Sequence, residues 1–449
     1  MRRVAVIGSG ISGLSVAHAL ASTAAVSLFE AGDYFGGHTH TVDVTVNSVI
    51  GGKTTAITHG VDTGFLVFNE RTYPELIRLF GELGVATASS EMSFSVQVPD
   101  IGMEWSGCDL NTVFAQRCNL VKPGFWRMLK DMLRFNKICT AIAVQNNEEA
   151  LQQPIADFLA QHSFSTEFRD WYFLPMIGCI WSCPTDQMLQ FPIATMIRFC
   201  HNHGLMQVAN RPRWFTVTDG AKHYVEQMLK SIPDARLNTP VRSVRRDGRR
   251  NVRSLSGDPA GAWVTTDHGT EHFDEVVLAC HSDQALALLS DATAAEREVL
   301  GAIRYHPNRA VLHTDTALLP KRKLAWAAWN YERAASNSRE QASVCLHYLL
   351  NRLQPLPFDN PVIVSLNPLT EPRPDTVQGE YHYAHPVFDM PAIAAQKRLP
   401  SLQGVGHTWY CGAWTRYGFH EDGLMSGLAV VKGLRAQWLR DAVPEREAA

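Results

Sequence analysis

The chain has 449 residues, 45% of them hydrophobic and 19% charged, with 41 Lys plus Arg against 44 Asp plus Glu and a net charge of -3. That length allows two or three domains with a large core, and the near-neutral balance provides no field to recruit nucleic acid, so none is expected as a partner. Nine cysteines without a C-x-x-C pair, and a first strand starting at residue 3 or 4 with no leader before it, point to reduced thiols in a bacterial-type cytoplasm; no apolar run reaches the roughly 18 residues of a membrane span, so any membrane contact would be peripheral.

The first 40 residues carry the strongest signal. Val4-Ala5-Val6-Ile7 reads as a strand, Gly8-Ser9-Gly10-Ile11-Ser12-Gly13 as a glycine turn opening a helix through Leu20, and Val26 to Phe29 as a second strand closed by Glu30. Gly8 makes the turn, Gly10 admits a pyrophosphate, Gly13 lets helix and strand pack closely, and the helix N-terminus faces the phosphate charge. Glu30 falls 22 residues after Gly8, where a carboxylate accepts ribose hydroxyls. The pattern defines a nucleotide-cofactor binder, and an acid rather than an Arg disfavours a 2'-phosphorylated one.

Residues 76–214 read as mostly helical. Within them Arg127, Lys130, Arg134 and Lys137 recur at helical spacing, while Phe125, Leu129, Met132, Leu133 and Ile138 fall largely elsewhere on the helix. This is a surface helix with a solvated basic side, and it makes 122–138 a candidate peripheral contact with an anionic membrane. The run Trp171 to Trp181, continued by Met188, Phe191, Met196, Ile197 and Phe199, is too apolar to be exposed and is expected in the core or along a cavity for an apolar ligand. His201 and His203, beside Gly204, read as a helix end. Phe215 to Gly220 then leads into a helix near Tyr224, Ala235-Arg236-Leu237 and Val241 to Val244 read as strands, and Asp247-Gly248 is a turn signal for a hairpin with Trp263 to Thr266. Glu275 to Cys280 is a buried parallel strand. Between 300 and 394 the alternating runs Ala310 to His313, Ser343 to Tyr348 and Val362 to Ser365 suggest a sheet. The residues after Trp438 read as a frayed charged tail.

Three separated segments resemble the flavin-containing amine oxidase superfamily, which includes protoporphyrinogen oxidases and phytoene desaturases. They are Glu30-Ala31-Gly32-Asp33-Tyr34-Phe35-Gly36-Gly37-His38-Thr39; His59-Gly60-Val61-Asp62-Thr63-Gly64-Phe65; and Tyr410 to Trp414 with Gly418 to Gly427. Through His38-Thr39-His40, Gly64 to Asn69 and His201 to Leu205, the chain is most similar to bacterial flavoproteins associated with cyclopropane-fatty-acid-synthase-like methyltransferases. The resemblance implies FAD as cofactor and an α/β fold: a discontinuous doubly wound, Rossmann-like FAD-binding domain (1–75, 214–285, 395–437) with an inserted α+β substrate domain (76–213, 286–394), amine-oxidase-like, and a tail at 438–449. Besides the glycine turn it assigns to FAD the residues Glu30, Ala31, Gly36, Gly37, His38, Thr39, Gly60, Val61, Asp62, Thr63, Gly64, Val241, Ala279, Gly412, Ala413, Glu421, Asp422, Gly423, Leu424, Met425 and Ser426.

The chemistry it implies is an FAD-dependent oxidoreductase that desaturates a lipid, such as a methyl-branched fatty acyl chain of phospholipid, by hydride transfer to flavin. Two departures speak against an amine oxidase: Asn308 or Arg309 stands where that superfamily has a Lys, and Phe419-His420 where a cage aromatic is expected. His420 is the candidate base, with Glu421 or Asp422 to orient it and Arg309 in the site. No His/Cys/carboxylate set has metal-ligand spacing, and no nucleophile elbow supports hydrolysis. The alternatives are an amine or polyamine oxidase and a non-catalytic flavin-bound partner of a lipid methyltransferase.

Overall fold

Five parallel strands build the sheet on which the cofactor crevice rests: β1 (Arg3–Ile7), β2 (Ala25–Phe29), β3 (Asp234–Arg236), β4 (Glu275–Leu278) and β5 (Thr408–Tyr410), in the order β3-β2-β1-β4-β5. They come from three distant stretches of sequence in a computed structural model that describes residues 1–50, 53–146, 151, 153–207, 211–247, 260–334 and 344–442. Both faces of the sheet are covered, so β1 and β2 bury four of five residues each and read as continuous apolar runs rather than alternating ones. Helix α1 (Ile11–Leu20) is itself apolar nearly all round, because it lies between this sheet and the C-terminal helix α4 (His420–Ala442). That last helix continues four residues past Trp438, where the sequence suggested a frayed tail, and Trp438 packs against the core.

A mixed seven-stranded sheet forms the other half of the molecule, in the order 377–387, 304–313, 363–366, 345–349, 329–332, 94–98 and 103–106. Its last two strands belong to the stretch expected to be mostly helical. They were missed because Phe94–Val98 and Met103–Ser106 are short and pair across a tight Pro-Asp-Ile turn, with too few residues to show a period. Helix α3 (Pro123–Val144), with shorter helices at Leu174–Trp181 and Ile193–Asn202, covers this sheet and shares its largest apolar cluster, whereas α2 (Pro74–Leu83) packs against α4 in the cluster of the parallel-sheet half. Strand Val241–Asp247 pairs with Gly261–Thr266 as the hairpin reading requires; the turn at Gly248 lies outside the described residues. An antiparallel ribbon, Thr41–Ile50 with Lys53–Asp62, was not foreseen. The helix at Ile193–Asn202 ends as expected, with His203 Nδ1 bonded to the Phe199 carbonyl at 3.0 Å and Gly204 left-handed.

Candidate active site

One cavity of about 1590 Å³ runs between the two halves. It exceeds the roughly 300–1,000 Å³ of ordinary small-ligand pockets, so it has room for a dinucleotide and a substrate together. Its first end is the carboxyl edge of the parallel sheet, where ligands bind in folds of this type. Gly8, Ser9, Gly10, Ile11 and Ser12 line it, with Glu30, Ala31, Gly36, Gly37, Val241 and Ala279. The N-terminus of α1 has no side-chain cap, which leaves its first N–H groups for an anion. Gly10 has nothing within 4 Å of where a Cβ would stand, so its missing side chain is what opens the cradle. A Cβ at Gly13 would strike the Gly8 carbonyl oxygen, so Gly13 serves helix packing and does not reach the cavity. At the tip of β2 the Glu30 carboxylate accepts from Ser9 N at 3.0 Å, Ser9 Oγ at 2.5 Å and Gly32 N at 2.8 Å, which fixes it on the cavity wall.

The middle of the cavity is a belt of partly buried imidazoles and phenols: His38, His281, His385 and His420 with Tyr305 and the buried Tyr383. The His38 ring stands 5.4 Å from His385 and 5.1 Å from Tyr383, and His281 stacks on Tyr305 at 4.3 Å. Burial pushes His38 and His281 down to about 4 and His385 and His420 to about 3, helped in each case by a neighbouring imidazole. All four are therefore neutral at physiological pH. His38 Nε2 is buried and has no hydrogen-bond partner among the described residues. His420 lines the cavity as expected, but its Nε2 is engaged by the Tyr224 hydroxyl at 2.7 Å, and its ring stacks on Phe65 at 3.9 Å. That makes it a rigid, neutral wall residue with no free nitrogen lone pair at Nε2.

Beyond the belt an arm lined by Trp105, Phe114, Leu129, Met132, Tyr172 and Ile180 reaches toward the surface. The run 171–181 supplies Tyr172 and Ile180, as anticipated; Tyr172 stands on a π-helical turn, Arg169–Phe173. Among the described residues lining the cavity, the only carboxylates are Glu30 at the cofactor end and Asp109, which is solvent-exposed.

Several assigned residues stand elsewhere. Arg309 is outside the cavity, in an ion-pair set with Glu371 and Glu380 on the solvent side of its strand; its neighbour Asn308 points inward and meets His385 Nδ1 at 3.2 Å. Glu421 is not a catalytic side chain but a helix cap: its two oxygens accept the backbone N–H groups of Glu75 and Leu76 at 2.9 Å, at the start of α2. Asp422 accepts Phe419 N at 3.0 Å at the start of α4. Ser426 Oγ accepts Gly412 N, Leu424 is core, Gly423 packs on Ile11, and Met425 meets Arg416, all behind the lining formed by Gly412 and Ala413. Thr39 is buried against the Tyr224 hydroxyl. Of 60–64 only Thr63 and Gly64 reach the cavity; Gly60 packs against Asp219, Val61 is core, and Asp62 holds Thr41, Ala221 N and Gln354.

Sequence reasoning missed His281, His385, Tyr305 and Tyr383. His281 stands in the turn after β4, past Ala279 and Cys280, a position that marks ligand contacts, and Tyr381, Tyr383 and His385 alternate along one strand, a period-2 signal that was legible. Glu332, Cys345 and His347 also meet, across adjacent strands and away from the cavity, with His347 Nε2 at 3.1 Å from Glu332 and 3.5 Å from Cys345 Sγ.

An anion-ready helix start, a ribose-height acid and a cavity large enough for both ligands define a dinucleotide-binding protein with an adjoining ligand site. The chain belongs to the flavin-containing amine oxidoreductase family, whose model matches residues 11–348, about three quarters of its length, and it is an FAD-binding protein. None of the curated proteins matches it. Similar solved structures include a CLA-producing fatty acid isomerase from P. acnes (14% identity, 96% of this chain and 98% of that one, TM-score 0.65). Others are the cyclohexylamine oxidase of Brevibacterium oxydans (14%, 97% and 99%, 0.64) and a putrescine oxidase bound to putrescine (16%, 97% and 99%, 0.65).

Proposed function

We propose that this flavoprotein oxidises a long apolar substrate, a lipid acyl chain such as a methyl-branched fatty acyl group of phospholipid, to leave a carbon–carbon double bond. The observation that carries the reading is the character of the arm beyond the histidine belt: aromatic and aliphatic walls, with lining carboxylates only at the cofactor end and at exposed Asp109. A protonated amine drawn into it would lose hydration with no counter-charge, at a cost of several kcal/mol, whereas each buried methylene of an acyl chain contributes about 0.8 kcal/mol. The fold does not decide this, since structures similar to it include both a fatty acid isomerase and amine oxidases.

FAD, when bound, supplies the hydride acceptor. Ser9, Gly10 and the α1 N-terminus would hold its diphosphate, and Glu30 its ribose. The aromatic arm aligns the chain and excludes water. The second hydrogen leaves the neighbouring carbon as a proton, and His38 is the group assigned to take it, because its Nε2 is buried, neutral and unpartnered within the belt.

The test is anaerobic reduction of the purified holoprotein, followed as bleaching of the flavin absorbance, with detergent-dispersed methyl-branched phospholipid in one arm and putrescine or cyclohexylamine in the other. Bleaching by lipid alone is expected; bleaching by amines alone would overturn the reading. Amine oxidation is the second reading, favoured by the aromatic side chains Trp414, Tyr417 and Phe419 beside His420. Flavin that neither class reduces, in protein that co-purifies with a methyltransferase, would mark a non-catalytic partner.

A further inference from the structure

The far end of the cavity comes to the surface through side chains that are themselves exposed. Leu110, Trp126 and Leu133 line it and are 78%, 50% and 56% exposed, and beside them Leu120 and Val121 are 46% and 82% exposed. The patch is continuous: Trp126 Nε1 donates to the Leu120 carbonyl at 2.8 Å, the Trp126 ring lies 5.5 Å from Phe114, and Lys323–Ala325, which carries exposed Leu324, packs against the short helix of Leu110. On α3, Trp126, Lys130, Leu133 and Lys137 form one solvent-facing stripe, so apolar and basic side chains alternate along the same line instead of occupying opposite faces.

The charges around the mouth are lopsided. Lys122, Lys130, Lys321 and Lys323 make no ion pair among the described residues. The nearby acids are mostly engaged: Glu167 pairs with Arg127, Glu104 with Arg322, Asp131 with Arg134, and the Asp109 carboxylate caps Thr112 N. Large apolar side chains at the centre with free ammonium groups on flexible stems around them match a headgroup region, where the stems lie in the acyl boundary and the charges meet lipid phosphates.

We infer that this mouth docks on an anionic phospholipid bilayer, so that an acyl chain passes from the leaflet into the cavity without crossing water. The second clause rests on the function proposed above; the docking does not.

The experiment is co-sedimentation of the holoprotein with vesicles of phosphatidylcholine, with and without phosphatidylglycerol. Binding only to the anionic vesicles, weakened by salt, is expected. Lys122→Gln and Lys323→Gln should each lower partition about fivefold, and Leu120→Glu with Val121→Glu, which do not line the cavity, should abolish it while flavin content and melting stay unchanged. Equal partition of these variants and the unaltered protein, or no binding to anionic vesicles, would overturn the inference. So would self-association that the Leu120 and Val121 variants lose without any vesicle binding, which assigns the patch to a second copy. If dispersed lipid bleaches the flavin while the protein ignores vesicles, docking fails and the function stands; if it docks and no lipid bleaches the flavin, the reverse holds.

Discussion

Acidification from about pH 7 to about 5.5 should destabilise the fold steeply, through buried imidazoles rather than through acid groups. His38, His203, His281 and His313 are depressed to about 4, and His385 and His420 to about 3, with burial the largest cause in each. The unfolded chain takes protons near 6.5. Folded values below unfolded ones mean that the native state stays neutral while the unfolded state charges, so stability is complete above about 6.5 and falls as pH drops toward 4. At pH 5.5 each unfolded imidazole is about nine-tenths protonated, and the six give an uptake of about five protons on unfolding. Asp62 and Asp422 oppose this, because burial raises them from 3.8 to about 6. Each is about three-quarters protonated in the fold at pH 5.5 and together they release about 1.5 protons. The net uptake of about four protons corresponds to about 5 kcal/mol per pH unit, a large part of a typical stability of about 5–15 kcal/mol. Thermal melts of apo- and holoprotein between these pH values measure it, and His385→Asn should lower the slope by about one proton. A melting temperature that is flat, or that rises on acidification, would refute the reasoning.

Glu30→Gln should weaken FAD binding by about 10- to 100-fold, since hydrogen bonds to a charged acceptor contribute about 1.5–3 kcal/mol; reconstitution of apoprotein followed by flavin fluorescence measures it. Gly10→Val should yield folded, colourless protein, because its side chain fills the open cradle; absorbance and circular dichroism together check this. Glu421→Ala leaves two α2 N–H groups without their acceptor and should cost about 2–4 kcal/mol of stability, while flavin reduction rates per bound FAD stay unchanged. Arg309→Ala, on an exposed ion-pair set, should alter stability by less than about 1 kcal/mol and leave reduction rates untouched.

The cofactor end was legible because its physics is local: a turn, a helix start and an acid lie within one contiguous stretch, and each needs a particular residue type. The C-terminal motif was only partly legible. Glu421, Asp422 and Ser426 are polar residues in a cofactor-like segment, yet their oxygens accept backbone N–H groups: Asp422 and Ser426 from nearby Phe419 and Gly412, and Glu421 from the start of α2, 346 residues away in sequence, which no local pattern shows. Arg309 failed for a different reason. A strand alternates its faces, so a one-residue uncertainty in register exchanges Asn308, which points in, for Arg309, which points out. The histidine belt was legible only at His38 and His420; His281 and His385 lie far from them in sequence and join them only once the two halves close on each other. On α3 the helix was found, but Leu133 was assigned away from the basic stripe that it shares with Trp126.

The edge position of β5 and the stacking of α4 on α1 have a consequence for biosynthesis. The phosphate loop at Gly8 to Ser12 emerges from the ribosome about 400 residues before Gly412 and Ala413, the segment that walls it off. Until then the nascent polypeptide offers only half a receptacle. Flavin is therefore captured only after that later segment has been made, and cells starved of riboflavin should accumulate protein that contains both segments yet is open to proteases along that seam.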